Sequence, residues 1–177
     1  LPAPYGFTRC VTAQQANAPC LAWFSAGGAF RKAGHYRAVT TLLAWQARLL
    51  SVAVPTPHYL ANDDFTPVAR LLARLCAEGR PALVPAVVTP AIRVVDAAIE
   101  HNLDLTGTVF WAGGEAITDA RRAALERARC HVYPNYFISE VGLVGSDCCH
   151  TPGGNSVHLF SDNAAVITWK RPAPLSE

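Results

Sequence analysis

The residues best suited to chemistry fall in two short stretches, 112–118 and 134–142. In the first, Gly113 and Gly114 carry no Cβ and let backbone approach a flat ring closely, while Glu115 offers acceptors to a ribose or an amino group. The same residues also fit a plain strand-to-helix turn with an exposed glutamate. In the second, Tyr136 presents a stacking face. Ser139 has a hydroxyl able to reach a phosphate oxygen, and Glu140 is a hard carboxylate able to hold Mg²⁺. That stretch alone fits a helix start capped by Ser139. The pair says more than either half. Each stretch follows a strand and the two strands are consecutive, so both are expected beyond the carboxyl ends of a parallel sheet, where helix N-termini point donors at anions.

A separate constellation is Cys148, Cys149, His150 and His158, within residues 148–158, with Cys130 nearby in the chain. Thiolates and imidazoles in such proximity are able to hold a tetrahedral Zn²⁺ ion, but no C-x-x-C pair is present. A buried cysteine and a hydrogen-bonded histidine account for the same residues. His35 and Trp111 read as core or pocket wall.

The elements that must position these groups are marked by periodicity and punctuation. Residues 1–19 are broken by Pro2, Pro4, Gly6 and Pro19 and read as an irregular leading segment with at most one short strand. CLAWFS, ended by Gly27 and Gly28, reads as a buried strand. Tyr36, Val39, Leu42, Leu43, Gln46, Leu49 and Leu50 keep helical spacing, which predicts one apolar stripe facing inward. A strand broken by Pro55 and Pro57 and a turn at Asn62, Asp63 and Asp64 lead into a helix over residues 67–78. A strand over 83–88 follows, then a helix opened by Thr89 as cap and Pro90 in its first turn. TVFW is the next strand, Thr118 caps the helix after it, and CHVY is the strand before NYFISE, which reads as a loop. Residues 157–160 and 164–169 read as a short terminal β-hairpin. The alternation predicts an α/β fold, a mainly parallel sheet with helices on both faces.

The chain has 177 residues, 51% hydrophobic and 16% charged, the profile of a globular domain with a good core. Its 15 basic and 13 acidic residues are dispersed, with Arg121-Arg122 the longest basic cluster, which gives nucleic-acid binding little support. Apolar runs such as residues 82–88 are short, and Pro85 interrupts that one, so no membrane span is expected. Six cysteines are too sparse for a disulfide-stapled scaffold, and reduced thiols in a cytoplasmic protein are the expectation.

GGEAITDARRAALERA followed by VYPNYFISEVGLVGSDC resembles phenylacetate-CoA ligases and related adenylate-forming enzymes. In these a GGE or GSE loop, a helix beginning near T-x-x-R and an aromatic-G-x-[ST]-E motif follow one another. VHLFSDNAAVI is similar to the family's H-[LI]-x-x-D segment, and WFSAGG to its aromatic, glycine-rich acyl-pocket region. The resemblance extends over most of the chain from about Cys20 onward. It implies ATP-dependent activation of a small carboxylic acid as an acyl-adenylate, then transfer to a thiol, either coenzyme A or an acyl carrier protein.

By position, the resemblance implies that Gly113, Gly114 and Glu115 line the adenine and ribose, with Asn135, Tyr136 and Phe137 beside them. Ser139 would touch the α-phosphate and Glu140 would bind Mg²⁺. Trp23, Phe24, Gly27, Gly28 and Trp111 would face the acid, and Cys148 with His158 would be the pair for Zn²⁺. Two positions depart from the pattern: Phe137 stands where the family keeps glycine, and Pro134 where it keeps a polar residue. The family's phosphate loop, its later Asp motif and its small C-terminal domain have no counterpart in the sequence. The chain begins at Leu1 and contains no Met. Residues 1–177 are therefore expected to be a single α/β subdomain, a fragment of a larger enzyme and inactive alone. A degenerate relative that binds a nucleotide or acyl ligand without turnover is the alternative.

Overall fold

The structure, a computed structural model, describes residues 3–15, 17–26, 34–60, 64–138, 142–147 and 156–162. Its elements run α1 (Ala3–Gln15), β1 (Trp23–Ala26), α2 (Gly34–Leu49), β2 (Pro57–Leu60), α3 (Thr66–Ala77), β3 (Leu83–Val87), α4 (Val88–Glu100), β4 (Val109–Gly113), α5 (Asp119–Glu126), β5 (His131–Ile138), β6 (Gly142–Ser146) and β7 (His158–Leu159). The fold is α/β, as the alternation predicts. β3, β4 and β5 are parallel, β6 and β7 continue the sheet antiparallel, and β1 and β2 form a separate parallel pair.

Side chains on alternate residues of β4 point to opposite faces. Phe110 and Ala112 are fully buried in one cluster with Val88 and Val95 of α4 and Leu125 of α5. α3 packs on α4, and α4 on α5, so these helices make one layer. Trp111 points the other way, and the guanidinium of Arg9 on α1 lies 4.3 Å from its ring centroid. On that second face α1 meets the sheet through Arg9, and α1 packs on α2 and β1.

Five expectations are corrected. The leading segment is a helix, not irregular: Pro4 falls in the first turn, where its missing N–H has no helical partner to lose. Gly6 is there for close packing, since a Cβ on it would come within 2.2 Å of the Trp23 ring. The helix ends at Gln15; beyond it Asn17 is left-handed at φ 55, and the Ala18 N–H donates to the Ala13 carbonyl at 2.9 Å.

Cys10 and Cys20 are joined as a disulfide, against the expectation of reduced thiols; their Cα atoms are 5.2 Å apart, within ordinary disulfide reach. On α2 the stripe that faces inward is Thr40, Ala44 and Ala47, whereas Val39, Leu42 and Leu49 are more than half exposed. Both sets keep helical spacing, and the small set permits close approach to α1. Thr89 is not a cap: α4 starts at Val88, and no side chain caps it. Finally, NYF is strand rather than loop, because β5 changes partner from β4 to β6 after Pro134 and continues to Ile138. β7 pairs with β6, and residues 164–169 lie outside the described residues.

Other boundaries match. α3 begins beside Asp64, whose Oδ1 accepts the Thr66 N–H at 2.9 Å, and has Pro67 in its first turn. Thr118 caps α5, accepting the Arg121 N–H. Among the described residues, no helix is long and apolar enough to cross a membrane.

Cys130 sits at the base of this core, and burial, with smaller contributions from Cys76 and Asp104, pushes its thiol up to about 12. An unfolded cysteine ionises near pH 8.5, so the folded state holds a proton the unfolded state has lost. This contribution to stability is present below about pH 8.5 and lost as pH rises towards 12. Iodoacetamide at pH 8 is expected to leave Cys130 unmodified in the native protein and to alkylate it after denaturation, as read by peptide mass. Alkylation of the native protein would contradict this.

Candidate functional site

The carboxyl edge of the parallel sheet is where β4 ends at Gly113 and β5 leaves its last β4 partner at Pro134. Gly113 packs directly against Asn135: a Cβ there would meet Asn135 Oδ1 at 2.3 Å and its carbonyl oxygen at 2.5 Å. Asn135 Nδ2 donates to the Trp111 carbonyl at 3.0 Å, which ties the start of the β5–β6 ribbon to β4. The Trp111 indole N–H donates to Ser146 Oγ at 2.8 Å, fixing the same ribbon from its second strand. The two stretches singled out in the sequence therefore do meet, through Gly113 and Asn135.

Glu115 follows Gly114, which turns the chain at φ 77. Thr89 Oγ1 donates to Glu115 Oε2 at 2.6 Å, and Arg121 Nη1 lies 3.2 Å from the same oxygen. Arg121 Nη1 also donates to the Ala116 carbonyl at 2.9 Å. The glutamate is thus braced from α4 and α5 across the carboxyl ends of β3 and β4. The ion pair is partly exposed and worth about 0–1 kcal/mol. Both contacts fall on Oε2, and a carboxylate has acceptor capacity on its second oxygen as well. A Thr89→Val variant, which keeps shape and removes the donor, is expected to cost about 1 kcal/mol in urea unfolding. No change in the midpoint would show that the bond does not hold Glu115.

Tyr136 is exposed on the ribbon, and Phe137 is half-buried with its ring centroid 5.9 Å from the Arg9 guanidinium. Arg9 thus lies near both Trp111 and Phe137. Trp23 and Phe24 are elsewhere. They line a cavity of about 460 Å³ between β1, α1, α3 and β3, and Trp111 is not in its wall. Phe24 also stands against His58, ring centroids 5.5 Å apart. The aromatic wall expected for the acid is therefore divided between two places.

Ser139, Glu140, Gly27, Gly28 and Cys148 lie outside the described residues. Ser139 and Glu140 fall between Ile138 and Gly142, which are register partners. His158 is exposed on β7. Among the described residues, no group of three or more His, Cys, Asp or Glu is placed to hold a metal.

Sequence reasoning missed Arg9, Thr89 and Ser146. Arg9 was hidden in a segment full of helix breakers, and Thr89 looked like a cap. Arg121 did carry a signal, the T-x-x-R spacing from Thr118.

Fold and site define an α/β protein whose polar groups gather at the carboxyl edge of its parallel strands. The chain matches no protein-family model and no curated protein.

Proposed function

We propose that this chain is part of an ATP-dependent ligase that activates a carboxylic acid as an acyl-adenylate and passes the acyl group to a thiol. The observation that carries the reading is the convergence of the Gly113-Gly114-Glu115 turn and Asn135 at one sheet edge. That edge is where open α/β sheets bind ligands. The motifs in those two stretches resemble one family's nucleotide-facing loops in the same order.

The described residues fit a nucleoside. Gly114 brings bare backbone to the edge, with Val87 3.7 Å from where its Cβ would be. Glu115, braced by Thr89 and Arg121, would accept from a ribose hydroxyl through Oε1. Tyr136, exposed on the ribbon, would offer its ring to the base. Ser139 would donate to the α-phosphate, and Glu140 would hold Mg²⁺, the ion that neutralises charge as the carboxylate oxygen attacks α-phosphorus. Pyrophosphate leaves in that step. The thiol then attacks the acyl carbon and AMP departs. A cytoplasmic setting, where ATP and thiol acceptors abound, belongs to this reading, and there the Cys10–Cys20 pair would face a reducing environment.

The test is acid-dependent ATP–pyrophosphate exchange on the full polypeptide that contains this chain. Exchange that rises with an added apolar acid supports the ligase. A second reading, a nucleotide-binding relative without turnover, is favoured by Phe137, which puts a half-buried ring on the ribbon where the family keeps glycine. AMP binding with no exchange for any acid would select that reading.

A further inference from the structure

On α2 the small side chains face inward and the large apolar ones face out. With 3.6 residues per turn, the buried Thr40, Ala44 and Ala47 lie roughly 180° around the helix from Val39, Leu42, Trp45 and Leu49. Ala47 packs in one cluster with Cys10 of α1 and Trp23 of β1, which fixes that orientation. The outer four are each more than half exposed, and Leu50, one residue past the helix, is 77% exposed. Apolar residues scattered singly on a surface are ordinary. Five along one helical stripe make a patch, and such patches mark contacts with a protein or a membrane.

The charge around the stripe says what covers it. Residues 1–62 contain Arg9, Arg31, Lys32, Arg37 and Arg48 and neither Asp nor Glu, whereas all 13 acidic residues fall from Asp63 onward, among ten basic ones. The acid-free stretch holds α1, β1, α2 and β2. These elements contact one another: α1 packs on α2 and β1, and β1 pairs with β2. The part of the fold that bears the stripe therefore carries positive charge alone, and its complement is an anionic surface with an apolar interior.

Between an acidic protein and an anionic leaflet, the leaflet fits better. A protein reads charge pair by pair, yet the Arg37 guanidinium is held over the Tyr59 ring at 4.4 Å, which leaves Arg48 as the other arginine of α2. A leaflet acts on the summed charge within a Debye length and needs no such pairing. Trp45, in the middle of the stripe with aliphatic neighbours, is the residue type that settles where headgroups meet hydrocarbon. A second copy of this chain would bring two acid-free surfaces together, which like charge opposes.

We infer that α2 seats this face on an anionic lipid surface, lying in the plane of the leaflet. Leu42, Trp45 and Leu49 enter the boundary between headgroups and hydrocarbon, and Arg48, exposed near the end of the helix, stays among the headgroups. At 16 residues α2 is too short to span a bilayer. Seating of this kind is independent of the ligase reaction and requires no nucleotide.

The experiment is flotation of the protein, without ATP, with vesicles of phosphatidylcholine alone and of phosphatidylcholine containing about one-third phosphatidylserine. Binding to the anionic vesicles is expected to be at least about tenfold tighter and to weaken as salt is raised. Leu42→Gln combined with Leu49→Gln should weaken it by about tenfold or more with an unchanged melting curve, since both side chains face solvent. Leu42→Ala combined with Leu49→Ala, which keeps helix propensity, should act in the same direction. Arg48→Glu should also weaken it by about tenfold. The emission of Trp45, taken as the difference between wild type and Trp45→Phe, should shift to the blue with anionic vesicles. Equal binding to both vesicles, or binding that both double variants retain, would overturn the inference. No binding to anionic vesicles would overturn it too and leave the stripe to an acidic protein. So would a dimer in light scattering that the double variants dissociate, because the stripe would then belong to a second copy.

Discussion

Gly113→Ala is expected to destabilise the protein by about 2–3 kcal/mol, lowering the melting temperature by roughly 5–10 °C for a chain of this length. The new Cβ would lie 2.3 Å from Asn135 Oδ1 and 2.5 Å from the Asn135 carbonyl oxygen. Rotating the side chain relieves the first contact and not the second, which is backbone. β5 must therefore shift from β4, and the rotation also breaks the Asn135–Trp111 hydrogen bond of 3.0 Å. Gly34→Ala is the matched control. Among the described residues nothing lies within 4 Å of its Cβ position, at the start of α2, and alanine is the better helix former, so that variant should be neutral or slightly more stable. Equal melting curves for Gly113→Ala and wild type would mean that Gly113 and Asn135 do not pack at the sheet edge.

Glu140→Ala is expected to lower acid-dependent pyrophosphate exchange by about a hundredfold or more, the usual scale for removing a group that stabilises transition-state charge. Melting should be unchanged. Glu140→Asp, which keeps the carboxylate, should retain part of the rate and recover further as Mg²⁺ is raised, whereas Glu140→Gln should resemble alanine. Full exchange in Glu140→Ala would remove this residue from the metal role.

The fold was legible where apolar spacing and breakers agreed. α3 has Val68, Leu72 and Leu75 buried on one face, with Pro67 at its start and Gly79 past its end. It was illegible where one residue type has two physical uses. Gly6 and Pro4 resemble breakers, yet one is a contact for Trp23 and the other is harmless in a first turn. Pro134 resembles a strand end, yet it falls where β5 passes from β4 to β6. On α2, Thr40, Ala44 and Ala47 keep the same period as the larger residues beside them, and size made the wrong stripe look like the core.

The site was legible to the extent that consecutive strands place their following loops side by side, which brings Gly113 to Asn135. Its bracing was not. Glu115 is held by Thr89, 26 positions earlier, and only the tertiary packing of α4 brings the two together. Likewise Arg9 reaches Trp111 only because the leading segment is helical.

On the proposed reaction a carboxylate oxygen attacks the α-phosphorus of ATP. Supplying the full polypeptide with ATP, Mg²⁺, a thiol acceptor and octanoate labelled with oxygen-18 in its carboxylate tests this by the mass of the AMP released. The acyl-adenylate bridges acid and phosphorus through that oxygen, and thiol attack at the acyl carbon leaves it on AMP. AMP carrying one labelled oxygen is expected. AMP without label, or no AMP that depends on the acid, would contradict it.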